Sequence, residues 1–161
     1  MLQIEIFKQS DTEEIIKLVL HCQNDGSRAE ILSLDKQPDL LNIKKEYIDS
    51  GGNFWVAKDN GKLAGTIGLY PLGNNIAVLK KFFVEEQYRG KPHHLGQQLY
   101  FTLLDFAKNK GIKTLILDTP KNTERAHKFY IKAGFRQIEE KDLPVHYNYP
   151  YSDSDFFILD I

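Results

Sequence analysis

The stretch Ile76-Ala77-Val78-Leu79-Lys80-Lys81-Phe82-Phe83-Val84, read with Ile112-Lys113-Thr114-Leu115-Ile116-Leu117-Asp118, decides the fold. Both are apolar runs of strand length. Between them Leu95, Leu99, Leu103 and Phe106 recur at helical spacing, and Gly111 sits where a C-cap belongs. The strand–helix–strand unit over 76–118 is long enough for a crossover, so its two strands, 76–84 and 113–118, should lie parallel and right-handed. The helix inside it opens after a loop rich in Gly, Pro, His and basic residues. The first backbone N–H groups of such a helix lack intrahelical partners, and the helix dipole is positive there. An anionic, phosphorylated ligand is therefore a candidate near Gly96-Gln97-Gln98, although every crossover helix offers such an end.

Working outward, residues 2–7 alternate apolar and polar, the period of a half-buried strand. Ser10-Asp11-Thr12-Glu13 reads as a capping box opening a helix with Ile15, Val19 and Cys22 on its apolar face, stopped at Asn24-Asp25-Gly26-Ser27. A second amphipathic stretch follows Pro38 and ends at Gly51-Gly52. Phe54-Trp55-Val56-Ala57, the turn Asp59-Asn60-Gly61-Lys62 and the run 63–70 form a hairpin, because Asn-Gly tolerates the positive φ of a type I′ turn. With 76–84 they make a three-stranded antiparallel meander. Toward the C-terminus, Ala126, Phe129, Tyr130 and Ala133 mark a helix ending at Gly134, and strands resume over 135–138 and 155–161. The expected architecture is one α/β domain over residues 1–161, with a mixed, mostly antiparallel sheet of six or seven strands flanked by four helices.

Composition narrows the function classes. Of 161 residues, 42% are hydrophobic and 12% aromatic, too apolar for a disordered chain. Lys and Arg number 21 against 22 Asp and Glu, a net charge of -1 without the basic excess of a general nucleic-acid or membrane binder. The single cysteine, Cys22, excludes an internal disulfide and suits a reducing compartment. The N-terminus lacks the basic start and apolar run of a signal peptide, and no stretch is long enough to span a bilayer. A cytoplasmic location is the expectation. His93-His94 are adjacent in a loop without a carboxylate or cysteine cluster, so no metal site is expected.

Two further motifs carry a resemblance. Leu79-Lys80-Lys81-Phe82-Phe83-Val84-Glu85-Glu86-Gln87-Tyr88-Arg89-Gly90-Lys91 resembles the cofactor strand and loop of the GNAT acetyltransferase superfamily, and Leu95-Gly96-Gln97-Gln98-Leu99 the start of its pyrophosphate helix. Asn122-Thr123-Glu124-Arg125-Ala126-His127-Lys128-Phe129-Tyr130-Ile131-Lys132-Ala133-Gly134-Phe135 resembles the family pattern Asn-x-x-Ala-x-x-Phe-Tyr-x-Lys-x-Gly-Phe, the more specific of the two. The resemblance implies a GNAT-like fold and acetyl-CoA as co-substrate. Phe82, Phe83 and Val84 would offer backbone groups to the pantetheine arm, and Arg89, Gly90, Lys91, Leu95, Gly96, Gln97 and Gln98 would surround the pyrophosphate. Asn122 would contact the cofactor arm, and Tyr130 would protonate the departing thiolate.

The loop departs from the family's usual Arg-Gly-x-Gly-x-Gly, reading Arg89-Gly90-Lys91-Pro92-His93-His94-Leu95-Gly96. Aligned from the left, Pro92 stands at the middle glycine and has no N–H to donate. Aligned from the helix, His94 stands there, and this register is preferred because the helix start fixes the donors. Lys80-Lys81 read as an exposed face with a bulge, His127 as a surface residue, and Cys22 as a small buried apolar group. No carboxylate lies on the strand where many family members place a base. Asp118 is nearer the expected crevice, a water feeding a backbone carbonyl is equally open, and no base is assigned.

The resemblance thus implies acetyl transfer to a primary amine of a small molecule or protein, by direct attack in a ternary complex. The competing class is a non-catalytic module that binds CoA or a related phosphorylated ligand as a sensor or partner domain. No nucleic-acid or membrane partner is expected, and a homodimer is compatible. For the acceptor, Leu143-Pro144-Val145-His146-Tyr147-Asn148-Tyr149-Pro150-Tyr151-Ser152-Asp153-Ser154 matters most. Tyrosines offer an apolar face, a hydrogen-bonding tip and a ring that attracts cations, so Tyr147, Tyr149 or Tyr151 is expected to line the acceptor cleft, with a Pro-stiffened loop packed on the sheet edge as the alternative.

Overall fold

The computed structural model describes residues 1–24, 32–121 and 123–161. Its centre is a sheet in the order β1-β2-β3-β4-β5-β7-β6. The strands are β1 (Leu2–Ile6), β2 (Asn53–Asp59), β3 (Lys62–Gly73), β4 (Ile76–Val84), β5 (Thr114–Pro120), β6 (Arg136–Ile138) and β7 (Ser154–Asp160). Every neighbouring pair is antiparallel except β4 and β5, which run parallel. The expected mixed, mostly antiparallel sheet with one parallel pair is the one observed.

Turn chemistry sets the meander. Asn60 and Gly61, at φ 51° and 86°, join β2 to β3, and Gly73, Asn74 and Asn75 take positive φ between β3 and β4. Asn and Gly pay least for these left-handed conformations. Within β4 the ladder slips: Thr66 pairs with Phe83 but Gly68 with Lys80, so β4 carries one residue more than β3 across that interval. Lys81 takes up the excess at φ 53°. The Thr66 hydroxyl donates to the Lys81 carbonyl at 2.7 Å and holds the bulge in place.

The two faces of the sheet bury different layers. On one face α2 (Leu95–Asn109) lays Leu95, Leu99, Leu103 and Ala107 against Ile67, Leu69, Ala77, Leu79, Leu115 and Leu117. There α3 (Glu124–Lys132) adds Tyr130. On the other face α1 (Thr12–Gln23) packs Ile15, Leu18, Val19 and Cys22 against Phe54 and Val56, with Leu40 and Tyr47 beside them. A π-helical turn, Lys44–Ile48, is the fourth helical element expected. The amphipathic stretch after Pro38 does not form one regular helix. A 3-10 turn, Pro38–Leu41, breaks at Asn42, at φ -140° and ψ 48°, before the π turn begins.

The start of α1 also differs from the expected capping box. Asp11, not Ser10, supplies the turn: its carboxylate accepts from the Lys8 amide at 3.0 Å, while the Thr12 hydroxyl donates to the Gln9 carbonyl at 2.8 Å. A 3-10 turn, Gln9–Asp11, precedes the helix and shifts the register of the cap by one residue. Of the expected stop, Asp25, Gly26 and Ser27 lie outside the described residues. Among the described residues no helix is long and apolar enough to cross a membrane.

Gly68 faces the bulge from β3, and a Cβ there would stand 2.9 Å from both Phe54 Cδ2 and Tyr47 Cε1. Both rings are fully buried and have no room to retreat. Gly68→Ala should therefore lower the unfolding free energy by about 1–3 kcal/mol, the usual range for overpacking. Urea denaturation of the variant checks this; an unchanged midpoint would show that the rings yield freely.

Candidate active site

The parallel pair is short. β4 and β5 are paired only at Ile76 with Thr114, Ala77 with Leu115 and Val78 with Ile116. Beyond Val78 the two strands part, β5 continuing its ladder with β7 instead. A bulge bends the strand that carries it, and the bulge at Lys81 lies just past the parting point. Among the described residues the β5-facing edge of β4 beyond Val78 thus has no strand partner. A polar backbone edge of this kind is a template for an extended ligand.

A cleft of about 900 Å³ occupies the gap. Phe82, Phe83, Val84, Arg89, Gly90, His94, Gly96, Gln97, Tyr130 and Tyr151 line it. The sequence reading thus converges on one place for most of its candidates. Leu95 is fully buried beneath the helix start. Gln98 turns its amide to the His93 carbonyl at 2.7 Å, and Lys91 is exposed. Asn122 lies outside the described residues.

The entrance to α2 is a set of free donors. Gln98 makes the first intrahelical bond, to the His94 carbonyl at 3.2 Å, which leaves the amides of Leu95, Gly96 and Gln97 ahead of the ladder. His94 adopts φ 49° and ψ 41°, a conformation that glycine takes at least cost. The left-handed residue entering α2 is thus His94, the one that the helix-side register sets against a glycine. A Cβ at Gly96 would stand 3.6 Å from Phe82 and 3.9 Å from Phe129, ordinary van der Waals contact with the two rings that flank the helix start. The Arg89 Nε donates to the Val84 carbonyl at 2.8 Å and ties the loop to the end of β4.

Tyr130 sits where α3 meets the gap, with Phe82, Phe129, Phe135 and Phe157 ringed around it at centroid distances of 5.6–6.4 Å. Burial raises its hydroxyl pKa well above the ordinary tyrosine value, with the charge of Asp118 adding to the effect. The group therefore stays protonated at any physiological pH.

The opposite face of the gap is polar. Tyr147 does not line the cleft; its hydroxyl donates to Asp118 Oδ1 at 2.8 Å, and Asp118 itself lines the cleft. Tyr149 also stands away, donating to Glu140. Of the three tyrosines expected at the acceptor side, Tyr151 alone reaches the cleft. Lys80 lies over the rings of Tyr70 and Tyr147, 5.0 and 5.9 Å from their centroids.

A model of the Acetyltransferase (GNAT) family matches residues 12–135. The chain belongs to the GNAT family. It is similar to an acetyltransferase of Streptococcus agalactiae, 33% identical with a TM-score of 0.94, over 99% of this chain and 98% of that one. A probable N-acetyltransferase, camello of Xenopus tropicalis, is 32% identical over 66% of this chain and 49% of its own length. The chain spans about half the length of the curated relatives it matches. The PaiA N-acetyltransferase of Thermoplasma acidophilum, solved in complex with coenzyme A, shares the fold at 19% identity and a TM-score of 0.74, over 100% of this chain and 99% of that one.

Within this GNAT fold, Lys81 overturns the expectation of an exposed lysine pair. Its side chain is only 4% exposed; Nζ donates to Gln37 Oε1 at 2.8 Å and lies 3.7 Å from Asp39 Oδ2. Gln37 is hydrogen-bonded in turn to Gln23, and Asp39 accepts from the Tyr47 hydroxyl. The bulge causes this, since its left-handed residue points inward under α1 rather than alternating with Lys80. His127 is likewise half-buried, against Phe157 and 3.5 Å from Asp155, not a surface residue. Two lysines inside an otherwise apolar strand were the available signal for a buried charge. Among the described residues no group of three or more His, Cys, Asp or Glu could hold a metal ion.

Burial lowers the Lys81 pKa from 10.5 to about 8, against the opposing pull of Asp39. Between those values the unfolded chain holds a proton that the folded chain has shed, so stability rises with pH across that window, by up to roughly 3 kcal/mol. The rise should be absent in Lys81→Met. Urea unfolding of both proteins from pH 8 to pH 10.5 measures it; a difference between them that does not change with pH would contradict the burial of this charge.

Proposed function

We propose that the protein transfers an acetyl group from acetyl-CoA to a primary amine, by direct attack in a ternary complex. The observation that carries this reading is the unpaired edge of β4, which runs from Leu79 to Val84 and ends beside the amides at the start of α2. An extended amide-bearing arm can add to that edge as a strand would, while its pyrophosphate meets the amides of Leu95, Gly96 and Gln97 and the positive end of the helix. The coenzyme A held by the PaiA relative supports the same ligand here. Phe82, Phe83 and Val84 hold the arm, with Arg89, Gly90, Lys91, His94 and Gln98 around the phosphates.

The thioester then lies between Tyr130 on one side and the polar face with Asp118 and Tyr151 on the other. The amine nitrogen attacks the carbonyl carbon, the carbon–sulfur bond breaks, and Tyr130 donates its proton to the departing sulfur. Because burial keeps that hydroxyl protonated, the donor is present in every turnover. Fixed orientation of the two substrates supplies much of the rate. Acceptor candidates are small amines and exposed protein amino groups, with Tyr151 as a contact and Tyr147 and Tyr149 as supports of that wall.

The loop from Arg89 to Gly96, two residues longer than the usual family spacing, motivates a second reading in which the protein binds CoA without turnover. One experiment separates them. Calorimetry with acetyl-CoA and CoA, followed by thiol release over a panel of primary amines, should show binding and turnover in the wild type. Tyr130→Phe should bind acetyl-CoA within about twofold of wild type while turnover falls by about 10²-fold or more. Binding without thiol release would favour the sensor, and unaltered turnover in Tyr130→Phe would remove it as the acid.

A further inference from the structure

We propose that the acceptor amine carries a carboxylate, as a free α-amino acid does, and that Lys80 is the residue that recognises it. The inference rests on the acetyl-transfer reading and narrows its acceptor to one class of small molecule.

Strand alternation fixes the side on which Lys80 works. It lines the cleft from β4, two residues beyond the last residue paired with β5. It shares a face with Val78, which packs with Ile116 and Ile158 near Tyr70 and Tyr147. Leu79, Leu115 and Leu117 lie on the opposite face with Tyr130. A molecule held by Lys80 therefore meets the thioester from the side opposite the proton donor, which is the side an attacking amine must take.

The surroundings position this cation without neutralising it. Its Nζ lies 5.0 Å from the ring centroid of Tyr70 and 5.9 Å from that of Tyr147, and it donates to the Asn148 carbonyl at 3.4 Å. The Tyr147 ring is itself fixed, because its hydroxyl donates to Asp118 at 2.8 Å. Among the described residues no carboxylate is ion-paired with Lys80, whereas the neighbouring Lys81 is taken up by Gln37 and Asp39. Asp118 feels both lysines at longer range, yet desolvation still raises its pKa above the ordinary aspartate value.

Charge then selects the acceptor. Two lysines against one desolvated carboxylate make this wall attractive to an anion and unfavourable to a polycation. A polyamine would bring a second ammonium against Lys80, and a plain alkylamine would cover Lys80 without pairing it. An α-amino acid sets its carboxylate on Lys80 only two bonds from the nitrogen that attacks, and a charge-assisted hydrogen bond there fixes orientation as well as affinity. A protein N-terminus has an amide at that position and lacks the charge.

The test compares leucine and phenylalanine with two analogues of each that lack the carboxylate: the decarboxylated amine and the amino acid amide, which resembles a protein N-terminus. The amino acid lies between the two in basicity, so a preference over both reports the carboxylate. In the wild type, kcat/KM for the better amino acid should exceed that of both analogues by about tenfold or more, chiefly through KM. Lys80→Met keeps the stem over the rings and should bind acetyl-CoA within about twofold of wild type. It should cost the amino acid about 10- to 100-fold and the analogues at least about tenfold less, while Lys80→Arg keeps the preference. The wild-type preference is read without any variant. A wild type that acetylates either analogue, or any carboxylate-free amine of the panel, as well as the amino acid would overturn the role of Lys80 and leave acetyl transfer standing. So would a Lys80→Met variant that loses the same factor with all three probes. Failure of the wild type to release thiol with any amine would overturn the acetyl-transfer reading itself.

Discussion

One extra residue in β4 governs the site. The β3 ladder has no place for both Lys81 and Phe82, so the strand bulges, twists and leaves β5 after three paired residues. The fixation is chemical as well as geometric. The Thr66 hydroxyl, fully buried, donates to the Lys81 carbonyl, and Gly68 lets the aromatic rings of Phe54 and Tyr47 close beneath it. The gap is therefore a rigid consequence of packing on both sides of the strand, which is the form of preorganisation that positioning chemistry requires.

The two faces of the gap carry opposite chemistry. Toward α2 and α3 it is aromatic, and there burial keeps the Tyr130 hydroxyl protonated. Toward α1 and the C-terminal loop it is lined by Lys80, Lys81 and Asp118, and behind them the Tyr47 hydroxyl donates to Asp39 and the Tyr147 hydroxyl to Asp118. Withdrawal from water disfavours the charged form of each group, which is why Lys81 is pushed down and Asp118 up despite their mutual attraction. A thioester passing between these faces would have a proton donor on one side and proton acceptors on the other.

Much of this was legible in the chain. The alternation of the first strand, the Asn60-Gly61 turn and the crossover over 76–118 predict the meander and the parallel pair, because each is a local signal with a local cause. The helix start at Gly96 was legible for the same reason. The polar face was not. The burial of Lys81 depends on a left-handed residue in mid-strand, and a lysine gives no propensity signal for that conformation. The bond between Tyr147 and Asp118 joins residues 29 apart and follows from the sheet order β5-β7-β6, so neither spacing nor composition announces it. The π turn after Asn42 was missed because an amphipathic period does not distinguish a continuous helix from two short turns sharing one apolar side.

The central claim is that the parted strands form the cofactor site, and a crystal structure of the complex with CoA tests it most directly. The account predicts the pantetheine arm between β4 and β5, hydrogen-bonded to the backbone of β4 between Phe82 and Val84. The pyrophosphate should lie at the amides of Leu95, Gly96 and Gln97, with the sulfur beside Tyr130. CoA seated elsewhere, or β4 and β5 paired along their whole length in the complex, would contradict it.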